Sequence, residues 1–211
     1  MIDIFAIYKP KGPTSNDMVQ LVKRKLGVKK VGHAGTLDPL ATGVLVIGVG
    51  REATRQLAQI VKKEKEYIAK IKFGENSTTD DEEGKKVKIK IAKIPTTSQV
   101  KAVVEQFQGN ILQLPPIYSA VKIKGKKAYK LARAGEKVEL KHRQVEIKKI
   151  KILNYQWPYL KLQVITGPGV YIRALARDIG EKLGVGGYLA DLERVRVGDF
   201  TKNDVILLEK I

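Results

Sequence analysis

The stretch Gly32-His33-Ala34-Gly35-Thr36-Leu37-Asp38-Pro39-Leu40-Ala41-Thr42-Gly43 places a single carboxylate, Asp38, in a segment punctuated by glycines. Glycine opens backbone conformations closed to other residues, and a proline biases the residue before it, here Asp38, toward an extended backbone. Immediately afterwards Val44 to Gly50 is a short apolar run bounded by glycines, the pattern of a buried strand. The loop is therefore expected to be anchored on that side by rigid core. By residue type alone, Asp38 suits either a solvated turn or a catalytic position.

Toward the N-terminus, Ile2 to Tyr8 reads as a strand that ends at Lys9-Pro10-Lys11-Gly12-Pro13, a basic turn enforced by two prolines and a glycine. Thr14 or Ser15 then caps a helix with Met18, Leu21, Val22 and Leu26 at helical spacing and Gly27 past its end. Toward the C-terminus, a helix is expected from about Arg51 to Val61. It is followed by Tyr67-Ile68-Ala69-Lys70-Ile71-Lys72-Phe73, whose alternation puts Tyr67, Ala69, Ile71 and Phe73 on the buried face of a strand.

The acidic segment Glu75 to Lys86, with Asp80, Asp81, Glu82 and Glu83, reads as a solvated hairpin loop between strands. Thr97 or Ser98 caps a helix carrying Val100, Val103, Val104 and Phe107. Leu114 to Tyr129 interleaves tyrosines with Lys122, Lys124, Lys126 and Lys127 behind a stiff double proline. That composition suits phosphate pairing and base stacking, or a plain exposed hairpin and helix. Val145 and Ile147, then Leu160, Leu162 and Val164, mark two further strands. Gly167-Pro168-Gly169 opens a helix over Val170 to Leu183, buried along Ile172, Leu175, Ile179 and Leu183. Arg173 falls in its first turn, where the helix dipole disfavours a cation, so a partner carboxylate is expected, Asp38 being one candidate. Thr201 to Ile211 reads as a capped terminal helix with Val205, Leu207 and Leu208.

Forty Lys and Arg against 22 Asp and Glu give a net charge of +18 over 211 residues, a field that favours polyanionic partners, nucleic acid first among them. The chain contains no cysteine and only two histidines, His33 and His142, so disulfides, thiolate metal sites and a histidine-rich metal site are excluded. No apolar run approaches membrane-spanning length, and the N-terminal apolar run is too short for a signal peptide. A cytoplasmic setting is expected, with no membrane partner.

The string GHAGTLDPLATGVL closely resembles the catalytic loop of the tRNA pseudouridine-55 synthases, the TruB family, and the resemblance continues in order along the chain. The Lys9 turn resembles the family's KPxGxTS motif, KEYIAKIKFG its active-site tyrosine segment, and the stretch around Ala128 to Glu136 its tRNA-clasping insertion. Gly169-Val170-Tyr171-Ile172-Arg173 resembles its third active-site motif, and Leu189 to Phe200 the segment after it. The resemblance implies an α+β pseudouridine synthase fold: a mixed, mostly antiparallel sheet flanked by helices. It also implies a single catalytic domain over residues 1–211, with an RNA-clasping insertion at about 115–143. Set against the family pattern, a catalytic domain without the usual C-terminal PUA-type domain is expected.

The function implied is isomerisation of uridine to pseudouridine at position 55, in the T arm of tRNA, by base flipping and without cofactor or metal. Asp38 would be the nucleophile, Arg173 its paired cation and Tyr67 the aromatic residue against the target base. His33 would prop open the vacated position, Tyr171 would line the uridine pocket and Leu192 would pack near the base. Lys9, Lys122, Lys124, Lys126 and Lys127 would bind RNA. A monomer acting on tRNA without an obligate protein partner is expected. The alternatives are a non-catalytic tRNA-binding or RNA-folding protein and a dyskerin-like, guide-dependent synthase.

Overall fold

The computed structural model describes residues 3–123, 125–136, 138–207 and 209, so Lys124 and Leu208 lie outside the described residues. The chain runs β1 (Asp3–Lys9), α1 (Ser15–Leu26), β2 (Val31–Ala34), β3 (Thr42–Val49), α2 (Gly50–Val61), β4 (Lys65–Phe73), β5 (Glu75–Ser77) and β6 (Lys86–Lys88). It continues through α3 (Thr97–Glu105), β7 (Gly109–Gln113), β8 (Lys122–Ile123), β9 (Lys126–Lys127), α4 (Ala128–Arg133), β10 (Arg143–Gln156) and β11 (Tyr159–Thr166). It closes with α5 (Ile172–Lys182), β12 (Gly187–Val197), β13 (Phe200–Thr201) and β14 (Val205–Ile206). The sheet is mixed and mainly antiparallel, as expected of the α+β class. The fold divides into two compact units. The first comprises Met1–Ile68, Val164–Pro168 and Leu192–Ile211; the second comprises Ala69–Gln163 and Gly169–Asp191.

In the first unit β1 pairs antiparallel with β3, from Asp3 opposite Val49 to Lys9 opposite Gly43. Alternation along these strands sends side chains to two faces. One face packs Ile7, Leu45, Ile47 and Val49 on Met18, Val19 and Val22 of α1. The other packs Ala6, Val44 and Val46 with Leu57 of α2 and Val197. Helix α1 begins at a reciprocal cap: Asp17 N donates to Thr14 Oγ1 at 3.1 Å and Thr14 N donates to Asp17 Oδ2 at 2.8 Å. It ends at Gly27 in the left-handed conformation, φ 65°. Its buried stripe includes Val19, while Leu26, expected inside, is exposed.

The C-terminal segment departs from the helix expected there. Thr201 does cap, with Asp204 as its reciprocal partner, but the turn lasts only Lys202–Asp204. Val205 and Ile206 then pair parallel with Ala6 and Ile7. The free edge of β1 offers two ladder partners, and two β-branched residues take them in preference to continuing a helix.

In the second unit β4 supplies Ala69, Ile71 and Phe73 to a core with Val100, Val104, Ile147, Leu160, Leu162, Leu175 and Ile179. Trp157 stacks on Phe73, with ring centroids 6.2 Å apart. The cap of helix α3 is Thr96, with Gln99 as its reciprocal partner, one residue before the expected cap. Strands β5 and β6 form the expected hairpin, and Glu82 and Glu83 of the acidic loop between them are exposed as expected, but Asp81 is 3% exposed and its backbone bridges to Leu189.

Candidate active site

Asp38 lies between β2 and β3, in a loop fastened on both sides by residues of the first unit. Before it, Ser15 at the start of α1 donates its hydroxyl to the Leu37 carbonyl at 3.0 Å and accepts the Leu37 N–H at 2.8 Å. Ser15 is buried, so this two-way bond forms away from competing water. After it, the Pro39 carbonyl accepts Gly12 N at 2.8 Å and Lys9 Nζ at 3.3 Å, while Ala41 N donates to the Asp38 carbonyl at 3.0 Å.

Lys9 therefore corrects the expectation that placed it on RNA. Its side chain is fully buried and its ammonium also donates to the Pro10 carbonyl at 2.8 Å. Pro10 of the basic turn and Pro39 of the Asp38 loop offer carbonyls whose lone pairs a buried ammonium can satisfy, and Lys9 braces the Asp38 loop from within.

The largest fully buried side chain of the protein, Arg194, is the functional candidate that hydropathy reading passed over. Its backbone lies parallel to β3, with Arg194 opposite Gly43. A Cβ on Gly43 would fall 2.2 Å from the Arg194 carbonyl oxygen, so glycine is required there by close backbone approach. The guanidinium donates from Nε to the Val44 carbonyl at 2.9 Å, from Nη2 to Gly35 at 3.0 Å and from Nη1 to Thr36 at 3.5 Å. Burial lowers its pKa from the ordinary value, opposed by the charge and hydrogen bond of Tyr67 and by the Asp38 carboxylate. Asp38 and Tyr67 are thus both brought to one guanidinium. The sequence signal was present: Leu192 and Arg194 share parity on a strand whose Leu192 reads as core.

Tyr67 is 7% exposed on β4, as its alternation implied. The same face begins one step earlier with buried Lys65, whose ammonium donates to the Val61 and Lys63 carbonyls, both at 2.8 Å. Desolvation, helped by the Arg194 charge, lowers the Lys65 pKa to about 8. Leu192 is buried, and its carbonyl accepts the Thr42 hydroxyl at 3.4 Å. His33 is half-buried on β2, opposite Ile47.

Within the second unit Arg173 is 6% exposed in the first turn of α5. A carboxylate on it is Asp81, at 3.3 Å from Nη1, which also donates to the Thr79 carbonyl at 3.2 Å; Nη2 donates to the Tyr118 carbonyl at 2.9 Å. The position did demand a counter-charge, and the acidic loop read as solvated supplies it. A turn further on, Arg177 pairs with Asp80 at 2.8 Å. Tyr171 is held by its backbone: Gln113 Oε1 accepts its N–H at 2.8 Å and Gln113 Nε2 donates to its carbonyl at 3.1 Å. Lys122, Lys126 and Lys127 are exposed on β8 and β9, with Lys127 Nζ 5.8 Å from the centroid of the Tyr129 ring.

Among the described residues no group of three or more His, Asp or Glu is placed to hold a metal ion. No helix among them is long and apolar enough to cross a membrane.

Residues 23–172 match the family model described as TruB family pseudouridylate synthase (N terminal domain). Residues 173–211 match one described as tRNA pseudouridylate synthase B C-terminal domain. A protein of Corynebacterium diphtheriae named tRNA pseudouridine synthase B is 46% identical over 211 residues, covering 96% of this chain and 70% of that protein. One of the same name from Parabacteroides distasonis is 44% identical over 215 residues, covering 99% of this chain and 91% of that protein. Among solved structures, a chain in the crystal structure of a Cbf5-Nop10-Gar1 complex superposes with a TM-score of 0.75 at 30% identity. That match covers 98% of this chain and 52% of the other, so this chain spans about half its length. With a family model over most of its residues and relatives matched along nearly its whole length, this chain belongs to the TruB family of pseudouridylate synthases.

Proposed function

We propose that the protein isomerises uridine to pseudouridine at position 55, in the T arm of tRNA, with Asp38 as the nucleophile. The observation that carries this reading is a carboxylate on a loop pinned at Leu37 and Pro39, joined through one buried guanidinium to Tyr67. The reaction breaks the bond from N1 to ribose C1′ and reattaches the ring through C5. The C5 proton is lost and N1 gains one, so no net oxidation occurs. Attack at C1′ and addition at C6 each use one ionised carboxylate, and a nearby cation favours that form.

Tyr67 supplies a flat face for the freed ring. The target base is stacked in a folded arm and must be turned out, a step assigned here to His33 at the entrance of the Asp38 loop. Leu192 packs near the base in this reading, and the roles of Tyr171 and Arg173 rest on the family motif. Exposed Lys122, Lys126 and Lys127 suit RNA phosphates, and the protein acts as a monomer without an obligate protein partner.

The test is tritium release from C5-labelled uridine in an unmodified tRNA transcript. Wild type is expected to release tritium, and Asp38→Asn to release none while still binding RNA. Release by Asp38→Asn removes Asp38 from its role, and no release by folded wild type refutes the reaction. The likeness to Cbf5 supports a second, guide-dependent reading; turnover of naked tRNA by the purified chain excludes it.

A further inference from the structure

Resting on the reaction proposed above, we infer that Arg194 is a positioning residue: its guanidinium staples the two ends of the Asp38 loop together. The acceptors bracket the loop, Gly35 and Thr36 on one side and Val44 on the other. Ser15 and Lys9 fasten the middle of the loop, whereas Arg194 closes its mouth. A guanidinium carries five donors in fixed geometry. Three of its bonds hold the carbonyls of residues 35, 36 and 44, and the electrostatic influence of Tyr67 and of the Asp38 carboxylate reaches the same group.

Burying a cation this deeply is costly unless opposite charge and acceptors surround it. The three carbonyls supply acceptors, and the Asp38 carboxylate offsets the charge. Attraction between unlike charges is mutual, so the group that shapes the loop also favours Asp38 in the form that attacks. Lys65 does not duplicate the role, because its ammonium is turned to the Val61 and Lys63 carbonyls. A Cβ on Gly35 would sit 3.5 Å from Arg194 Nη1 and 3.6 Å from Lys65 Cε. Both long side chains therefore lie against the same glycine.

Arg194→Lys keeps the charge and loses the fork; Arg194→Gln keeps a donor and loses the charge. In the tritium assay, normalised to folded protein, Arg194→Lys should lower kcat about 100-fold, the scale of a misplacement near 1 Å. Its KM for tRNA should stay within about threefold, since the effect falls on the transition state. Arg194→Gln should lower kcat further and move the acid limb of the pH–rate profile to higher pH, while Arg194→Lys leaves that limb near wild type.

A merely structural arginine would change the folded fraction and nothing else. Wild-type kcat per folded molecule in Arg194→Lys, or an unmoved acid limb in Arg194→Gln, overturns the proposal. Should neither variant fold, the Nε–Hε resonance of Arg194 in 15N-arginine-labelled protein decides. It should shift in both Asp38→Asn and Tyr67→Phe, and an unmoved resonance overturns the staple. That readout needs no turnover, so a wild type without tritium release counts against the reaction and leaves the staple to the spectrum.

Discussion

Replacing Asp81 with alanine removes the carboxylate that sits 3.3 Å from Arg173 Nη1, in a pair whose side chains are 4% and 7% exposed. Asp81 also accepts the Thr79 hydroxyl and, at 3.1 Å, the Glu83 N–H. Arg173 keeps the Thr79 and Tyr118 carbonyls but loses this counter-charge. Removing one partner of a buried ion pair costs about 3–5 kcal/mol. At about 2–4 °C per kcal/mol for a chain of this size, the Tm should fall by about 6–20 °C. Arg173→Met should cost a similar amount, because the carboxylate is then the stranded charge. The double variant removes both charges and should lose less than the sum of the singles, leaving a coupling of about 1–3 kcal/mol. Arg173→Lys should fall between, since one ammonium cannot serve Asp81 and the Tyr118 carbonyl in fork geometry. The assay is urea and thermal unfolding followed by circular dichroism at pH 7 for the four members of the cycle. Single costs below about 1 kcal/mol, or additivity within about 0.5 kcal/mol, would refute the assignment of Arg173 and Asp81 as a coupled buried pair.

Lys122, Lys126 and Lys127 are exposed and Lys9 is buried, so their effects on RNA binding should separate. Replacing the three exposed lysines with glutamine should flatten the slope of log K against log salt by about 2–3, while Lys9→Met leaves it unchanged; the reverse pattern in a filter-binding titration would reject the assignment. Lys65 titrates at about 8 in the folded chain against an ordinary 10.5. Between those values the unfolded state holds the extra proton, so stability should rise with pH across that window. Lys65→Met should remove that rise in urea melts from pH 7 to 10.5, and parallel curves for the two proteins would disprove the shift.

Local rules reached a good part of this architecture because local causes produced it. Thr14 with Asp17 caps α1, and Thr201 with Asp204 caps a turn where a capped start was expected. The alternation Tyr67, Ala69, Ile71, Phe73 is the buried face of β4. The Asp38 loop announced itself by glycine and proline spacing. The same rules did not reveal the burial of four charged residues: Lys9, Lys65, Asp81 and Arg194. Hydropathy assigns a charge to water, whereas each of these is buried. For Lys65 the acceptors are two and four residues away, but for Lys9 the second is 30 residues away. Asp81 meets a guanidinium 92 residues on, and Arg194 meets carbonyls 150 to 159 residues back.

A buried charge is tolerated only where its partners are already assembled, so its place depends on the finished topology and leaves little local trace. That dependence also gives these residues their value to a site. Arg194 takes its burial from the loop it closes, and the loop takes its shape from Arg194. The backbone on either side of Asp38 is therefore held by a cation whose donors are engaged by that same backbone. A hydrophobic staple could close the same loop, but it would not favour the ionised carboxylate. In the proposed mechanism the shape of the loop and the ionisation of its carboxylate are both required, and a buried guanidinium contributes to both.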